Sequence, residues 1–267
     1  MTDLDELLSL AVDTAQEAGE LVRDRRDAVS RMAVSATKTT PTDVVTESDT
    51  AAEELIRSRL LTARPGDAVL GEEGGSSAGQ SGVRWVVDPI DGTVNYLYGI
   101  PQYAVSIAAQ RDGDTVVGVV RNPVSGETWT ATRGGGAALN GSPVHESGCD
   151  RLDLALVATG FGYDAGRRER QAEILRRILP SVRDVRRAGA ASLDLCAVAS
   201  GRVDAYYERG LGPWDLAAGG LVAEEAGAVV AGLRGTPAGP DLVIAAGPAL
   251  FDALHALLEP LAPDRDV

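Results

Sequence analysis

Apolar residues near the start of the chain recur at spacings of three and four, which predicts an amphipathic helix to about residue 28. The stripe consists of Leu4, Leu7, Leu8, Ala11, Ala15, Ala18, Leu21 and Val22. Thr2 is a candidate N-cap, and the acids that follow it suit the positive end of a helix. A second helix is predicted from Ser48, as its cap, to just before Pro65.

Alternating or continuous apolar runs predict strands in the middle of the chain, at 84–87, 103–109, 115–121 and 127–132. Residues 74–82 are rich in Gly and Ser, which predicts a mobile loop. Beyond residue 152 strands and helices alternate, with strands at 203–207 and 242–245 and helices at 171–179, 192–199, 214–226 and 248–258. This order indicates a layered α/β or α+β fold in two halves, predicted as 1–145 and 146–267.

Composition and charge narrow the possible functions. The chain has 267 residues, of which 44% are apolar and 24% are charged, as in a folded soluble protein. Its net charge of −14 argues against nucleic acid and anionic membranes as partners, and an anionic substrate would need metal cations as intermediaries. Two cysteines form no disulfide framework, and the first ten residues carry three acids and no cation. We therefore expect no signal peptide and a cytoplasmic location.

Residues 85–93 form the most informative segment. A strand that is apolar enough to be buried ends in Asp88 and Asp91, three residues apart. Pro89 lacks a backbone donor and is expected to break the strand, while the glycine after Asp91 allows a ligand to approach closely. The two carboxylates and the Ile90 carbonyl are hard oxygen ligands that suit Mg²⁺. Backbone amides after Asp91 can bind phosphate if they open a helix.

Three further acidic segments are candidates for the same site, although each has an ordinary structural explanation. Glu72 and Glu73 lie between a predicted strand and the Gly/Ser-rich loop, where they could simply face solvent. Asp215 lies in the first turn of a predicted helix, where an acid compensates the helix dipole. Asp43 and Asp49 lie around the start of the second helix, and Asp49 could be only its capping acid.

Together these segments resemble the inositol monophosphatase family, the magnesium-dependent, lithium-sensitive phosphatases, in a bacterial form. The family pattern W-x-x-D-P-[IL]-D-G-T-x-N spans residues 85–95, and G-E-E spans 71–73. The pattern K-x-x-x-x-D-x-V-T-x-x-D spans 38–49, and W-D-x-A-A-G spans 214–219. The four patterns follow in family order over nearly the whole chain. The resemblance implies a layered α-β-α-β-α sandwich, a homodimer and a small phosphate monoester as substrate.

The resemblance also implies a role for individual residues. The implied ligands of two Mg²⁺ ions, with a third and weaker ion near the first of them, are Glu72, Asp88, the Ile90 carbonyl, Asp91 and Asp215. Asp88 would bridge two of the ions. The implied catalytic residues, which position and activate water, are Glu72, Thr93 and Asp49. The implied substrate contacts are Ile90, Asp91, Gly92, Thr93, Gly189, Ala190, Ala191, Glu208 and Asp215.

The implied reaction is hydrolysis of inositol 1-phosphate to myo-inositol and phosphate, by a metal-activated water and without a phosphoenzyme. Glu208 lies seven residues before Asp215, where the family places a carboxylate on the inositol hydroxyls. The segment 189–192 departs from the family pattern G-[ST]-A-A. Ala190 replaces the hydroxyl residue, and Ser192 carries a hydroxyl two positions later.

Other substrates with the same chemistry stay open: histidinol phosphate, fructose 1,6-bisphosphate, NADP(H) and 3′-phosphoadenosine phosphates. Asn95 and Tyr96, with Glu208, favour inositol phosphates. A bisphosphate would favour extra cations near the pocket, and only Arg209 meets that condition. We interpret three neighbouring arginines as the solvated face of a helix: Arg167, Arg168 and Arg170.

A regulatory protein-binding role, with phosphatase activity secondary, is the alternative from another class. Some bacterial relatives associate with the transcription machinery, and an acidic surface suits a basic protein partner. Every expected ligand side chain is present in this sequence. A pure scaffold would have no chemical need for all of them, which favours catalysis.

Overall fold

The computed structural model describes residues 3–26, 36–37 and 44–265. Its α-helices are α1 (Asp3–Arg26), α2 (Glu47–Ala63), α3 (Thr93–Tyr98), α4 (Ala165–Ile178), α5 (Ala191–Ala199), α6 (Pro213–Glu225) and α7 (Pro248–Leu258). Its strands are β1 (Ala36–Thr37), β2 (Val44–Val45), β3 (Ala68–Gly71), β4 (Ser76–Ser77), β5 (Val83–Asp91), β6 (Ala104–Arg111), β7 (Asp114–Arg121), β8 (Thr128–Thr132), β9 (Gly136–Leu139), β10 (Ser142–Pro143), β11 (Leu156–Thr159), β12 (Asp184–Arg186), β13 (Ala205–Glu208), β14 (Val229–Ala231) and β15 (Val243–Ala246).

The first half of the chain builds an eight-stranded sheet in the order β10-β9-β8-β7-β6-β5-β3-β4. β3 and β5 run parallel, whereas β5 to β8 pair as antiparallel neighbours. Helices α1 and α2 cover one face, where Leu7 and Ile56 join Ile107 and Val119 in a buried cluster. Burying a side chain such as Leu7 contributes about 1.5–3 kcal/mol, which stabilises the predicted first helix against the sheet.

The second half builds a five-stranded sheet in the order β12-β11-β13-β15-β14. Its outer face is covered by α4 and α7, through apolar side chains such as Ile178 and Leu254. Helices α5 and α6 lie between the two sheets and contribute to a buried cluster on either side. The layers are therefore α1/α2, the large sheet, α5/α6, the small sheet and α4/α7, which confirms the α-β-α-β-α sandwich.

Strand β5 carries the central acidic motif and continues through Pro89 to Asp91, so the prediction that Pro89 breaks the strand is wrong. Against β6, Asp88 pairs with Ser106 and Asp91 pairs with Ala104. Three residue steps on β5 thus match two on β6, which is a β-bulge. The bulge tolerates a proline because it disrupts the ladder locally. Residues three apart face opposite sides of a regular strand, and the extra residue turns Asp88 and Asp91 to the same side.

Two helix starts differ from the predictions. Helix α2 has Thr46 rather than Ser48 as its N-cap, because the Thr46 hydroxyl accepts a hydrogen bond from the Ser48 amide at 3.2 Å. Helix α4 begins at Ala165, earlier than predicted, because Asp164 caps it by accepting from the Arg167 amide at 2.9 Å. In both cases a polar side chain satisfies an amide that the helix itself leaves unpaired.

Some sequence predictions are not tested by these elements. Lys38 and Asp43, in the motif that precedes the second helix, and the predicted end of α1 near residue 28 lie outside the described residues. The division at residue 145 stays a prediction, since α5 and α6 pack against both sheets. Within the described ranges, no helix is both long and apolar enough to cross a membrane.

Candidate metal and phosphate site

Three carboxylates from the two halves of the chain meet at the end of β5. Asp88 and Asp91 lie on the bulge and Asp215 lies in the first turn of α6, with one oxygen of each within 4.8 Å of the others. Burial raises the pKa of Asp88 well above its usual range, and repulsion from Glu72 and the other two acids raises it further. The pKa of Asp215 is raised for the same two reasons. These carboxylates need a cation nearby to be ionised together.

At the start of α5 and of α6, backbone amides donate hydrogen bonds to one of these carboxylates. Asp91 Oδ1 accepts from the Ala191 amide at 3.2 Å, and Oδ2 accepts from the amide and hydroxyl of Ser192 at 2.7 and 2.5 Å. Asp215 Oδ2 accepts from the Gly212 amide at 2.7 Å. The bonds to Asp91 lower its pKa, but burial outweighs them and leaves it raised. Both acids also lie at the positive end of a helix.

Asp49 combines the cap of α2 with a contact to the site. Its Oδ2 accepts from the amide and hydroxyl of Thr46 at 2.9 and 2.5 Å. Its Oδ1 lies 3.3 Å from the Thr93 hydroxyl, which is also 3.1 Å from the Ile90 carbonyl oxygen. The sequence left open whether Asp49 is a cap or a site residue, and the geometry provides for both. Helix α3 begins at Thr93, as the phosphate-loop prediction required.

Glu72 follows β3, and the loop behind it is held by Glu53, a buried acid of α2 that the sequence analysis did not single out. Glu53 accepts from the amides of Glu73 and Gly74, each at 2.8 Å. Arg57 donates to the same carboxylate at 2.7 Å. A paired, buried carboxylate with these amide partners fixes the path of the loop that carries Glu72.

A cavity of about 640 Å³ opens beside the acids. It brings together most of the predicted site, namely Glu72, Asp88, Ile90, Asp91, Gly92, Thr93, Gly189, Ala191, Glu208 and Asp215. Asp49 and Ala190 are buried and do not line it. Gly92 has φ of 90°, and a Cβ there would lie 3.1 Å from the Gly189 carbonyl oxygen. Only glycine allows the two segments to approach so closely in this conformation.

Asn95 and Tyr96, which favoured inositol phosphates at the sequence level, are part of the scaffold. The Asn95 amide nitrogen donates to the carbonyl oxygens of Gln102 and Ala188, at 2.6 and 2.9 Å. The Tyr96 hydroxyl donates to the Val22 carbonyl oxygen at 3.0 Å. Both side chains are buried, and neither lines the cavity. The Asn95 side chain joins the two halves of the chain, and the Tyr96 side chain joins α3 to the first helix. Because both belong to the scaffold, neither supports the choice of inositol phosphates as substrates.

Glu208, at the end of β13, lines the same cavity as the acid cluster. Burial raises its pKa to about 7, while the Tyr206 hydroxyl donates to Oε2 at 2.7 Å. Gly160 leaves room for it, since a Cβ there would lie 1.9 Å from Oε2. Burial and the charge of Glu208 raise the pKa of Asp194 to about 8. Asp194 was missed at the sequence level, although it is an acid within the apolar helix α5.

Arg167, Arg187 and Arg209 line the same cavity, and of these only Arg209 is expected there from the sequence. Arg187 faces Glu208 closely enough to lower its pKa. The interpretation of Arg167, Arg168 and Arg170 as a solvated helix face holds only in part, because all three are half-buried. Arg167 lines the cavity, whereas Arg168 and Arg170 donate to backbone carbonyl oxygens at 2.8 and 2.5 Å.

The donor set fits a hard divalent cation. The clustered atoms of Asp88, Asp91 and Asp215 are all carboxylate oxygens, and Glu72 and Ile90 line the same cavity. Oxygen donors of this kind suit Mg²⁺, Mn²⁺ or Ca²⁺. Among the described residues, no cysteine or histidine lines the cavity, which argues against a soft metal.

Comparison with known proteins agrees with this geometry. The model of the inositol monophosphatase family matches residues 3–263. An inositol-1-monophosphatase of Mycobacterium bovis is 50% identical over 273 residues, covering 95% of this chain and 93% of its own. A Pseudomonas aeruginosa protein named Nus factor SuhB is 39% identical over 265 residues, covering 96% and 97%.

A solved structure is also similar over the full length. Mycobacterium tuberculosis SuhB superposes with a TM-score of 0.84 at 45% identity, covering 99% of this chain and 100% of its own. The family match and these relatives span both halves of the chain, and therefore all the carboxylates described above. The chain belongs to the inositol monophosphatase family.

Proposed function

We propose that the protein is a Mg²⁺-dependent phosphomonoester hydrolase that converts inositol 1-phosphate to myo-inositol and phosphate. The observation that carries the proposal is the cluster of Asp88, Asp91 and Asp215 on the wall of a cavity that also contains Glu208. One part of the cavity suits a cation and a phosphate, and another suits hydroxyl groups. The name of the Mycobacterium bovis relative, inositol-1-monophosphatase, supports the same substrate.

Two or three Mg²⁺ ions would be held by Glu72, Asp88, the Ile90 carbonyl, Asp91 and Asp215. When bound, the metal would polarise the phosphoryl oxygens and offset the charge of the acids. This arrangement lets a chain with a net charge of −14 accept an anionic substrate.

Thr93 and Asp49 would orient the attacking water. A hydroxyl can accept a hydrogen bond from water while it donates its own hydrogen, here with the Ile90 carbonyl oxygen at 3.1 Å and Asp49 Oδ1 at 3.3 Å as the two acceptors within reach. Asp49 is itself fixed by Thr46, so this direction is set before substrate binds. Glu72, on the cavity wall, is the second carboxylate that we place beside the water. Attack by water requires no covalent phosphoenzyme.

Glu208 would accept hydrogen bonds from two neighbouring hydroxyls of inositol. Because its pKa is about 7, it is mostly an ionised acceptor at pH 8. Tyr206 fixes one of its oxygens, so the carboxylate presents a defined face to the ring. Gly189 and Ala191, also on the wall, would contact the substrate through backbone and small side-chain atoms.

Phosphate release with and without Mg²⁺ tests the proposal on inositol 1-phosphate, histidinol phosphate, fructose 1,6-bisphosphate, NADP⁺ and 3′-phosphoadenosine 5′-phosphate. We expect Mg²⁺-dependent release that is fastest from inositol 1-phosphate. Asp91→Asn should abolish it, whereas the exposed Asp153→Asn should leave it unchanged. No release from any compound would overturn the proposal, and activity in Asp91→Asn would overturn the site.

A second candidate function is hydrolysis of a substrate with another anionic group, which the cavity arginines favour. A guanidinium binds phosphate through paired N–H groups, and its five donors can serve protein and ligand together. We would compare inositol 1-phosphate with inositol 1,4-bisphosphate. If Arg167 and Arg209 bind the second phosphate, Arg209→Gln should raise KM about tenfold for the bisphosphate alone. Equal kinetics for both compounds would exclude this candidate.

A protein partner is a separate question, raised by the Nus factor name of the Pseudomonas aeruginosa relative. The Asp91→Asn variant addresses it, because loss of hydrolysis should leave an interaction through the outer surface intact. The homodimer, the cytoplasmic location and inhibition by Li⁺ stay predictions. An unchanged rate at millimolar Li⁺ would count against the last of these.

A further inference from the structure

Ser192 contacts a carboxylate of the acid cluster directly. It is fully buried in the first turn of α5, and its hydroxyl donates to Asp91 Oδ2 at 2.5 Å. Its backbone amide donates to the same oxygen at 2.7 Å. One residue therefore binds one carboxylate oxygen through two donors.

These two bonds determine which oxygen of Asp91 remains available. A carboxylate oxygen has two lone-pair sites, and both sites on Oδ2 are taken by Ser192. Oδ1 accepts a single longer bond, from the Ala191 amide at 3.2 Å. Oδ1 therefore keeps a lone pair for a cation, and rotation of the carboxylate would break all three bonds.

The hydroxyl of Ser192 lies two positions after the one in the family pattern G-[ST]-A-A. Ala190, at the pattern position, is the N-cap of α5 and makes no side-chain capping bond. Its methyl group faces Gly92, where a Cβ would lie 3.2 Å away. The side-chain hydroxyl at the start of α5 therefore comes from Ser192, in the first turn of the helix, and not from the N-cap residue.

We propose that Ser192 is a positioning residue that holds Asp91 ready for metal binding, and that its hydroxyl compensates for alanine at position 190. The inference rests on the proposed function, because the cation is the one that hydrolysis would use. It concerns this chain in particular, since the family pattern places the hydroxyl elsewhere.

Binding of Mg²⁺ alone, measured by titration calorimetry without substrate, tests the proposal. Ser192→Ala should weaken Mg²⁺ binding about tenfold, as loss of a group that orients a ligand does. The Mg²⁺ concentration for half-maximal activity should rise by the same factor, with kcat at saturating Mg²⁺ near the wild-type value. The double variant Ala190→Ser with Ser192→Ala should recover most of the affinity.

Ser200→Ala is the matched control on the same helix. Ser200 caps the other end of α5. Its hydroxyl accepts a hydrogen bond from Trp129 Nε1 at 2.8 Å and donates one to the Cys196 carbonyl oxygen at 2.5 Å. We expect a lower Tm and unchanged Mg²⁺ affinity. Equal loss of affinity in Ser200→Ala and Ser192→Ala would reduce the effect to helix stability and overturn the proposal.

Two further outcomes are decisive. Wild-type Mg²⁺ affinity in Ser192→Ala would overturn the positioning role, and a double variant as weak as Ser192→Ala would overturn the compensation. A wild-type protein that binds Mg²⁺ but releases no phosphate would overturn the proposed function and leave the calorimetric result on Ser192 standing.

Discussion

At the scale of single residues, Asp49 shows how one carboxylate can serve the fold and the site together. Its two oxygens point to different partners, Thr46 at the start of α2 and Thr93 at the start of α3. The first turn of a helix favours an acid because it offers unpaired amides and a positive dipole. The bond that starts the helix therefore also sets the direction in which Asp49 faces Thr93.

The Thr93 hydroxyl is the first residue-scale prediction. Thr93→Val removes the hydroxyl at nearly constant volume and should lower kcat at least about 100-fold, whereas Thr93→Ser should stay within about tenfold. Phosphate release under saturating Mg²⁺ is the measurement. Thr46→Ala is the control, because it removes the capping hydroxyl and costs about 1 kcal/mol of unfolding free energy, while the backbone amide of residue 46 still donates to Asp49 Oδ2 and keeps its direction toward Thr93. Equal rates for Thr93→Val and wild type would remove Thr93 from the catalytic residues.

At the scale of elements, helix α2 holds the loop that carries Glu72. Glu53→Gln removes the charge that pairs with Arg57 and replaces one of two acceptors for the loop amides. We expect about 3 kcal/mol lower unfolding free energy, as for a broken buried ion pair, and weaker Mg²⁺ activation. Glu54→Gln, on the exposed side of the same helix, is the matched control and should change neither. Denaturant unfolding and Mg²⁺-dependent rates measure both effects.

Much of the fold could be predicted from periodicity, because apolar spacing distinguishes strands from helices locally. Helices α6 and α7, with the strands β6 to β8, lie within a residue or two of their predicted positions. The bulge in β5 could not be predicted, because it depends on how Asp88–Asp91 pair with β6, a strand that lies beyond an intervening helix in the sequence. Pro89 was a real signal, but it marks a bulge rather than the end of the strand.

The candidate site was predictable where its residues belong to contiguous motifs, as Asp88 and Asp91 do. It was not predictable where separate elements meet. Arg167 and Arg187 reach the cavity from α4 and from the segment after β12. Glu53 did carry a signal, because it lies in phase with Ile56 and Leu60 on the buried face of α2. An acid in such a stripe needs a partner, and this one binds the loop that carries Glu72.

At the scale of the whole molecule, a bound cation should stabilise the join between the two halves. The pKa values of Asp88, Asp91 and Asp215 are raised, so their contribution to stability is present at acid pH and is lost as pH rises through the raised values. Since the pKa values of the neighbouring acids Glu208 and Asp194 are raised to about 7 and about 8, we expect in EDTA a lower Tm at pH 8 than at pH 6. Saturating Mg²⁺ should raise Tm about 5–10 °C, more at pH 8 than at pH 6.

Asp88→Asn provides the complementary measurement. Removing one of the repelling carboxylates should raise Tm in EDTA and abolish most of the response to Mg²⁺. Thermal unfolding at the two pH values checks both effects. If the Tm of the wild-type protein changed with neither pH nor Mg²⁺, the carboxylates of the cluster would neither repel one another nor bind the cation.

The double use of the site acids has a consequence for how this sequence can drift over evolutionary time. Asp49, Asp91 and Asp215 each accept hydrogen bonds at the start of a helix. A lineage that had abandoned hydrolysis would still be selected to keep them, because losing them would expose unpaired amides and weaken three helices. The presence of these three aspartates in a relative is therefore evidence for a conserved fold as much as for conserved activity. Glu72 and Asp88, which start no helix, are the positions at which an inactive descendant would first diverge.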